Sequence, residues 1–272
     1  MAEPKLSIVF TDVDGTLVDD EHHPMLQSAP TIRRVLDQGI RLCMVSARSP
    51  EGLYPIQRQL GFSGPLVCFS GAYVLDEDGT ELLSHTIPLE DAVAIKGWLA
   101  SELPDVCVGT YGFHTWVTDD RSDPRVAREE YYVQAASTEC SDLRVAFDER
   151  GIHKFLLMGE PEAISAAEQV VGERYPGLNV VRSNSTLCEI MSKEARKSDA
   201  VRFVCAHFGI DPAEAVAFGD GPNDLDMLMA VERSYAMSNG EEAVKAAAAH
   251  VTSWSNVECG VTRTLDELLS GA

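Results

Sequence analysis

Basic residues are scarce in this sequence. Its 272 residues include 22 lysines and arginines against 43 aspartates and glutamates, which gives a formal net charge of -21 at pH 7. Nucleic acids and anionic membrane surfaces are negatively charged themselves, so this balance argues against both as partners. A negatively charged ligand would need a locally positive pocket, or a metal ion, within this negative field.

Long apolar runs and paired cysteines are also missing. No stretch of about 18 apolar residues, the length of a membrane-spanning helix, occurs. The start of the chain, Met1 to Leu6, lacks the basic-then-apolar order of a secretory signal. The seven cysteines form no C-x-x-C pair, and most lie in apolar runs, where cysteine acts as a small hydrophobic residue. These absences predict a cytoplasmic protein, and the oligomeric state stays open.

Short apolar strands alternate with helices at both ends of the chain. The run 6–10 is nearly continuously apolar and rich in β-branched residues, which is typical of a strand buried on both faces. Alternating strands and helices indicate a parallel sheet covered on both sides. The further predicted strands are 40–45, 65–69, 215–218 and 234–237, and the predicted helices are 29–38 (stopped by Gly39), 50–60, 201–208 (stopped by Gly209), 225–230 and 241–249.

The middle of the chain has a different pattern. Two candidate hairpins, 106–111 with 115–118 and 178–182 with 187–191, are mixed with predicted helices and a strand at 152–158. Hairpins mixed with helices indicate an α+β unit. We therefore predict an α/β, Rossmann-like parallel-sheet core domain from residues 1–83 and 189–272, and an inserted α+β domain at 84–188.

The first chemical signal follows the first strand directly. Asp12 and Asp14 stand two residues apart, followed by Gly15, which allows a sharp turn, and Thr16. Ligands bind at the carboxyl ends of the strands of a parallel sheet, and two adjacent carboxylates there are costly unless a cation or a proton accompanies them. An ordinary Asp-Gly turn is the alternative explanation.

A second acidic cluster follows another apolar strand. Asp220 and Asp224 flank Asn223, an arrangement of hard oxygen ligands that suits Mg2+. If the two strands are neighbours, both clusters lie at the same edge of the sheet. A bound Mg2+ and a phosphate group would complete such a site.

Hydroxyl and cationic side chains give two weaker signals. Ser46 and Arg48 follow the second strand, where a hydroxyl at a helix N-terminus can bind a phosphoryl oxygen. Lys197 precedes Ser198, a candidate helix cap, and offers a compact positive charge. A cap or a solvated side chain is the alternative for each residue taken alone.

Taken together, these segments resemble the four motifs of the haloacid dehalogenase superfamily. The inserted domain resembles the type IIB cap of Cof-like sugar phosphatases, and the likeness continues through 236–241, so it covers nearly the whole chain. Serine at the second motif, where threonine is more usual, and Ser70, where many relatives have asparagine, are departures. The motif matches, in order, are Asp12-x-Asp14-Gly15-Thr16, Ser46, Lys197 and Gly219-Asp220-x-x-Asn223-Asp224.

This resemblance implies a Mg2+-dependent phosphatase acting on a small phosphorylated metabolite, with a sugar phosphate as the expected substrate. Asp12 would be the nucleophile and Asp14 the general acid and base. Mg2+ would be bound by the Asp12 carboxylate, the Asp14 backbone carbonyl, Asp220 and Asp224, with Asn223 in support. The predicted phosphate-binding residues are Ser46, Lys197, Gly15 and Arg48.

Substrate-contacting residues of the inserted domain are harder to select. Lys154 and Arg182 are the candidates, although an edge-strand lysine is the simpler explanation of Lys154. Four further side chains could face the substrate, while the adjacent His22 and His23 are expected in a solvated mobile loop rather than at a metal. The four further side chains are His114, Trp116, Arg121 and Arg125.

Two other functions stay open. A hexose phosphate phosphomutase must retain the phosphoryl group and rebind a bisphosphate, which should demand more cations in the cap. A catalytically silent binding or regulatory protein is the alternative from another class, and the four intact motifs argue against it.

Overall fold

The computed structural model describes residues 5–271 and divides them into two compact units. The first unit contains the described residues through Arg48, then Leu53–Leu82, and the chain from Arg196 onward. The second unit contains Ser49–Gly52 and Leu83–Ala195. The insertion predicted at 84–188 therefore lies inside a unit that runs from 83 to 195.

Strands and helices alternate along most of the described chain. The strands are β1 (Ile8–Thr11), β2 (Arg41–Val45), β3 (Leu66–Cys68), β4 (Tyr73–Leu75), β5 (Glu81–Ser84), β6 (Cys107–Gly112), β7 (Thr115–Thr118), β8 (Thr138–Glu139), β9 (Lys154–Met158), β10 (Leu178–Asn184), β11 (Leu187–Ser192), β12 (Ala215–Gly219), β13 (Arg233–Ala236) and β14 (His250–Val251). The α-helices are α1 (Ala29–Asp37), α2 (Pro50–Leu60), α3 (Leu89–Glu102), α4 (Pro124–Val133), α5 (Leu143–Ala146), α6 (Pro161–Arg174), α7 (Lys197–Phe208), α8 (Leu225–Ala230), α9 (Glu242–Ala247) and α10 (Gly260–Ser270).

The first unit is built on an eight-stranded sheet in the order β14-β13-β12-β1-β2-β3-β4-β5. The strands from β14 to β3 are parallel to their neighbours, and β4 runs antiparallel to β3. Every residue of β1 and β12 is buried, as expected for central strands with apolar side chains on both faces. The predicted α/β fold class is confirmed.

The register of the central strands determines which loops meet. Thr11, the last residue of β1, pairs with Phe218 of β12 on one side and Met44 of β2 on the other. The Asp12 N–H then donates to the Phe218 carbonyl at 2.9 Å. The loops that follow β1, β2 and β12 therefore leave the sheet side by side at its carboxyl edge.

The second unit contains a six-stranded sheet in the order β10-β11-β9-β6-β7-β8. The predicted hairpins are present, because β6 pairs antiparallel with β7 and β10 pairs antiparallel with β11. One face of the sheet packs against α3 and α6, where Ile95, Phe155 and Ile164 are among the buried residues of a single apolar cluster. That burial, at roughly 25 cal/mol per Å² of apolar surface, is the main stabilising contribution in this unit.

Several elements were not predicted from the sequence. Strands β4, β5, β8 and β14 are only two to four residues long, and α5 spans four residues. Such short elements carry too little periodicity to be recognised. The C-terminal helix α10, which packs against α1, is a longer omission.

The cysteines behave as the sequence analysis expected. None of the seven, all of which lie within the described residues, forms a disulfide, and those at 43, 68, 188 and 205 are buried. Burial raises the pKa of the Cys188 thiol to about 12, so the thiol stays protonated and acts as a small apolar side chain.

No helix within residues 5–271 is long and apolar enough to cross a membrane.

Candidate active site

The loop after β1 forms a tight turn that carries the first two carboxylates. The Val13 carbonyl accepts hydrogen bonds from the N–H groups of Thr16, Leu17 and Val18 at 3.2, 2.9 and 3.1 Å. Gly15 has a φ of +75°, and a Cβ atom there would lie 2.3 Å from Asp220 Oδ2. Only glycine fits a position that combines a left-handed backbone with so close an approach.

The loop after β12 supplies the other acidic side chains. Asp224 is fully buried, and its Oδ2 accepts from the N–H groups of Asp220 and Gly221 at 3.0 and 3.1 Å. Asp220 Oδ1 accepts from the Thr16 hydroxyl at 2.8 Å, which ties this loop to the loop after β1. Asn223 is exposed, with its side-chain oxygen directed at Gly221.

Lys197 joins the two acidic loops. Its Nζ lies 2.6 Å from Asp12 Oδ1, 2.6 Å from Asp224 Oδ1 and 3.2 Å from the Val45 carbonyl. Burial alone would lower the pKa of Lys197, but Asp12 and Asp224 outweigh it and raise that pKa well above its ordinary value. The lysine therefore stays charged at 1% exposure.

Ser198 does not cap α7 as expected. Lys197 is the first residue of the helix and Arg196 precedes it as N-cap, without a side-chain capping bond. The Ser198 N–H instead donates to Asp226 Oδ2 at 3.0 Å, so a carboxylate from the first turn of α8 satisfies one of the N–H groups at this end of the helix.

Three of the four predicted metal ligands converge. One carboxylate oxygen from each of Asp12, Asp220 and Asp224 lies within 4.8 Å of the others. Burial, followed by repulsion from Asp224, raises the pKa of Asp220 to about 6 and that of Asp12 well above its ordinary value. Three hard oxygen donors this close together fit a divalent cation, which would relieve the repulsion between the carboxylates.

The Asp14 carboxylate lies outside that group and has its own partners. Arg48 binds it with two nitrogens, Nε to Oδ2 at 2.9 Å and Nη2 to Oδ1 at 2.5 Å, and His22 Nδ1 lies 2.7 Å from Oδ1. Burial by itself would raise the pKa of Asp14, but the Arg48 guanidinium and the His22 hydrogen bond hold it well below its usual range.

The contacts of the Arg48 and His22 side chains differ from those predicted from the sequence. Arg48 is 6% exposed and pairs with Asp14, while its Nη1 has no hydrogen-bond partner within the described part of the chain. His22 was expected in a solvated loop, which is wrong for this residue because its half-buried imidazole contacts Asp14. The backbone explains the difference: His22 has a φ of 63° in a turn closed onto Asp19, and this turn directs the ring inward.

Ser46 lies beside these groups at the end of β2. It is 2% exposed, and its Oγ accepts from the Arg48 N–H at 3.1 Å. Its carbonyl accepts from the Ser70 N–H at 2.9 Å. Ser70 has a φ of 55°, so the backbone conformation at this departure from the family pattern is a left-handed one that asparagine tolerates better than serine.

The candidates of the second unit are paired with carboxylates. Lys154 Nζ lies 3.1 Å from Glu189 Oε1 with both residues buried, and Arg182 lies 3.5 Å from Glu168. The edge-strand explanation of Lys154 is wrong, because β9 lies between β11 and β6 in the interior of the sheet. Among the other candidates, Arg121 pairs with Glu130, Arg125 pairs with Asp123, and Trp116 stacks on Tyr111. His114 lies in the β6–β7 turn.

The geometry defines a class of protein: an α/β fold with a mostly parallel sheet, whose carboxyl edge carries a carboxylate cluster and two buried cationic side chains, Lys197 and Arg48. The profile of the haloacid dehalogenase-like hydrolases matches residues 9–265. A Haemophilus influenzae protein, by name a candidate phosphatase, is 35% identical over 262 residues, covering 95% of this chain and 97% of its own. The chain therefore belongs to the haloacid dehalogenase-like hydrolases.

Solved structures agree on the fold. A haloacid dehalogenase-like hydrolase from Bacteroides thetaiotaomicron superimposes with a TM-score of 0.89 at 26% identity, covering 97% of this chain and 100% of its own. A sugar phosphatase of subclass IIB of the same superfamily superimposes with a TM-score of 0.79 at 21% identity, covering 96% and 98%. At that identity the second likeness concerns the fold alone.

Proposed function

We propose that this protein is a Mg2+-dependent phosphatase that hydrolyses a small phosphorylated metabolite, a sugar phosphate by preference, through an aspartyl-phosphate on Asp12. The observation that carries the proposal is the placement of Asp12. Its carboxylate belongs to the cluster with Asp220 and Asp224 and contacts Lys197, while Asp14, two residues on, is held apart by Arg48. The family membership and the phosphatase-like name of the relative support it.

The residues of the candidate site would have three roles: metal binding, charge neutralisation and phosphoryl binding. Asp12, Asp220 and Asp224 would hold the Mg2+ together with the Asp14 backbone carbonyl, and the ion would offset negative charge on the phosphoryl group. Lys197 is positioned to neutralise charge beside Asp12. Ser46 and Arg48 are the candidate phosphoryl contacts. The buried Arg48 Nη1, which has no hydrogen-bond partner among residues 5–271, is the best evidence for an anion there.

In the first half-reaction an Asp12 carboxylate oxygen attacks phosphorus, and the bond from phosphorus to the leaving oxygen breaks. Asp14 donates a proton to that oxygen. In the second half-reaction Asp14 takes a proton from water, whose oxygen attacks phosphorus, and the bond to Asp12 breaks to release inorganic phosphate. Because Arg48 and His22 hold Asp14 as a carboxylate, Asp14 must take up a proton from solvent before the first transfer, and this uptake requires these contacts to loosen.

Charge pairing in the second unit favours the hydrolase over the mutase. A mutase would need free cations to rebind a bisphosphate, whereas Lys154, Arg121, Arg125 and Arg182 each pair with a carboxylate. Added glucose 1,6-bisphosphate or mannose 1,6-bisphosphate separates the two functions, since only a mutase requires it.

The decisive experiment measures phosphate release from a panel of phosphorylated sugars and other metabolites, with Mg2+ and after chelation. Asp12→Asn is expected to abolish release, and Asp37→Asn, an exposed aspartate at the end of α1, serves as the matched control. Metal-dependent release in wild type and in the control, lost in Asp12→Asn, supports the proposal. Release that survives in Asp12→Asn contradicts it.

A further inference from the structure

Residues 239–241, which follow β13, contact both acidic loops of the first unit. The Asn239 side chain is exposed, and its Nδ2 donates to the Gly15 carbonyl at 2.8 Å. Two residues on, the Glu241 N–H donates to the Asp220 carbonyl at 3.1 Å. One short segment therefore holds the loop after β1 and the loop after β12 at the same time.

The loop after β1 is in direct contact with Asp220, one of the candidate metal ligands. Gly15 packs so closely on Asp220 that an added Cβ would lie 2.3 Å from Oδ2. The next residue, Thr16, donates from its hydroxyl to Asp220 Oδ1 at 2.8 Å. A shift of the Gly15 carbonyl therefore moves groups that directly contact the Asp220 carboxylate.

The backbone at Gly240 also packs closely on the loop after β12. A Cβ atom added at Gly240 would lie 2.9 Å from the Asp220 carbonyl oxygen and 3.0 Å from the Met237 carbonyl oxygen. The backbone at 240 thus approaches Asp220 as closely as glycine permits.

A second asparagine fixes Asn239 itself. The Asn256 N–H donates to Asn239 Oδ1 at 2.9 Å, which orients the amide so that its Nδ2 faces Gly15. The Asn256 side chain is 2% exposed, and its Nδ2 donates to the Val18 carbonyl at 3.1 Å and to Asp20 Oδ1 at 2.9 Å. The two amides together hold the loop after β1 at three acceptors.

We propose that Asn239 is a positioning residue of the candidate metal site, which sets the distance between the loop that carries Asp12 and the carboxylate of Asp220. The inference rests on the metal assignment of the proposed function. Asn239 itself contacts neither carboxylate, so it acts through Gly15. Without its hydrogen bond the loop after β1 is free to drift from Asp220, and the three carboxylates converge less well on a cation.

The test measures Mg2+ binding to the metal-free protein by titration calorimetry. Asn239→Ala removes both side-chain contacts, whereas Asn239→Asp keeps the oxygen that the Asn256 N–H requires and replaces the donor to Gly15 with a carboxylate oxygen. Ser238→Ala, one residue away, is the matched control. Both Asn239 variants should bind Mg2+ about fivefold more weakly, the size expected for one lost hydrogen bond. The control should bind as wild type does.

The aspartate variant sharpens the comparison, because an added negative charge would by itself attract a cation more strongly. Phosphate release by both variants should recover at saturating Mg2+, which a merely structural role does not predict. Wild-type affinity in either Asn239 variant would overturn the inference while leaving the phosphatase proposal intact. Absence of Mg2+ binding to wild type would overturn the inference and the metal assignment together.

Discussion

Lowering the pH from about 8 to about 5 should destabilise the second unit through a single buried side chain, His153. The imidazole is fully buried, its Nδ1 accepts from the Phe113 N–H at 3.0 Å, and its Nε2 lies 3.0 Å from the Ser84 hydroxyl. Nδ1 must therefore be the unprotonated nitrogen. A proton added there would face the Phe113 N–H, donor against donor.

The magnitude follows from the difference between folded and unfolded states. Burial, followed by repulsion from Arg150, lowers the pKa of His153 to about 3, whereas it is about 6.5 in the unfolded chain. Above pH 6.5 the residue is neutral in both states and has no effect. Below it the unfolded state binds the proton and the folded state does not, so stability falls until the pH reaches about 3. At pH 5 the loss is about 2 kcal/mol.

The assay is urea unfolding followed by tryptophan fluorescence at both pH values, since Trp98 and Trp116 lie in the second unit. His153→Asn, whose side-chain oxygen is placed to accept from the Phe113 N–H, removes the titrating group. The free energy of unfolding of wild type should fall by about 2 kcal/mol more than that of the variant. An equal fall in both proteins would refute the assignment of His153 as a buried neutral imidazole.

Three further substitutions test the site. Asp14→Asn should leave Mg2+ binding near wild type and lower kcat about 100-fold or more, and a near-normal kcat in phosphate-release assays would remove Asp14 from proton transfer. Gly15→Ala should abolish the Mg2+ binding measured by calorimetry, because the added Cβ would lie 2.3 Å from Asp220 Oδ2. Gly39→Ala, at a glycine with nearly the same φ and nothing within 4 Å, should bind Mg2+ normally. Equal Mg2+ binding by the two variants would contradict the importance of the Gly15–Asp220 contact. Ser70→Asn should raise the free energy of unfolding by about 0.5 kcal/mol, because asparagine tolerates a positive φ better, and a decrease in urea unfolding would contradict that.

The core sheet and the main contacts of the site follow from local sequence patterns. The apolar runs of β1 and β12 predict buried parallel strands, and polar residues directly after such strands must lie at one edge of the sheet. That argument places the two acidic clusters together. In the structure, one carboxylate oxygen from each of Asp12, Asp220 and Asp224 lies within 4.8 Å of the others. Lys197 joins them as a cation beside two carboxylates.

Other site features depend on the folded backbone and leave no local signal. The inward direction of His22 depends on a left-handed turn, and the pairing of Arg48 with Asp14 joins residues 34 positions apart. The order of the second sheet, which places Lys154 inside rather than at an edge, depends on strand pairing between distant segments. Asn239 lies in a segment already noted for its likeness to the family, but its contact with Gly15 spans 224 positions.

The site also answers the question raised by the charge of the chain. A protein with a formal net charge of -21 should repel a phosphorylated ligand at long range. Lys197 and Arg48 are nevertheless both buried at the carboxyl edge of the sheet, where low solvent exposure strengthens their interactions with an anion. A divalent cation on the carboxylate cluster would offset the acidic charge that these two side chains leave unbalanced.

The most direct test of the central claim looks for the covalent phosphate on Asp12. Asp14→Asn is mixed with 4-nitrophenyl phosphate, whose leaving group needs little protonation, then quenched in acid and digested for mass spectrometry. Because the variant lacks the base that activates water, one phosphoryl group should accumulate on Asp12, and Asp12→Asn should show none. Release of nitrophenol by the Asp14 variant without a phosphorylated peptide would contradict the account.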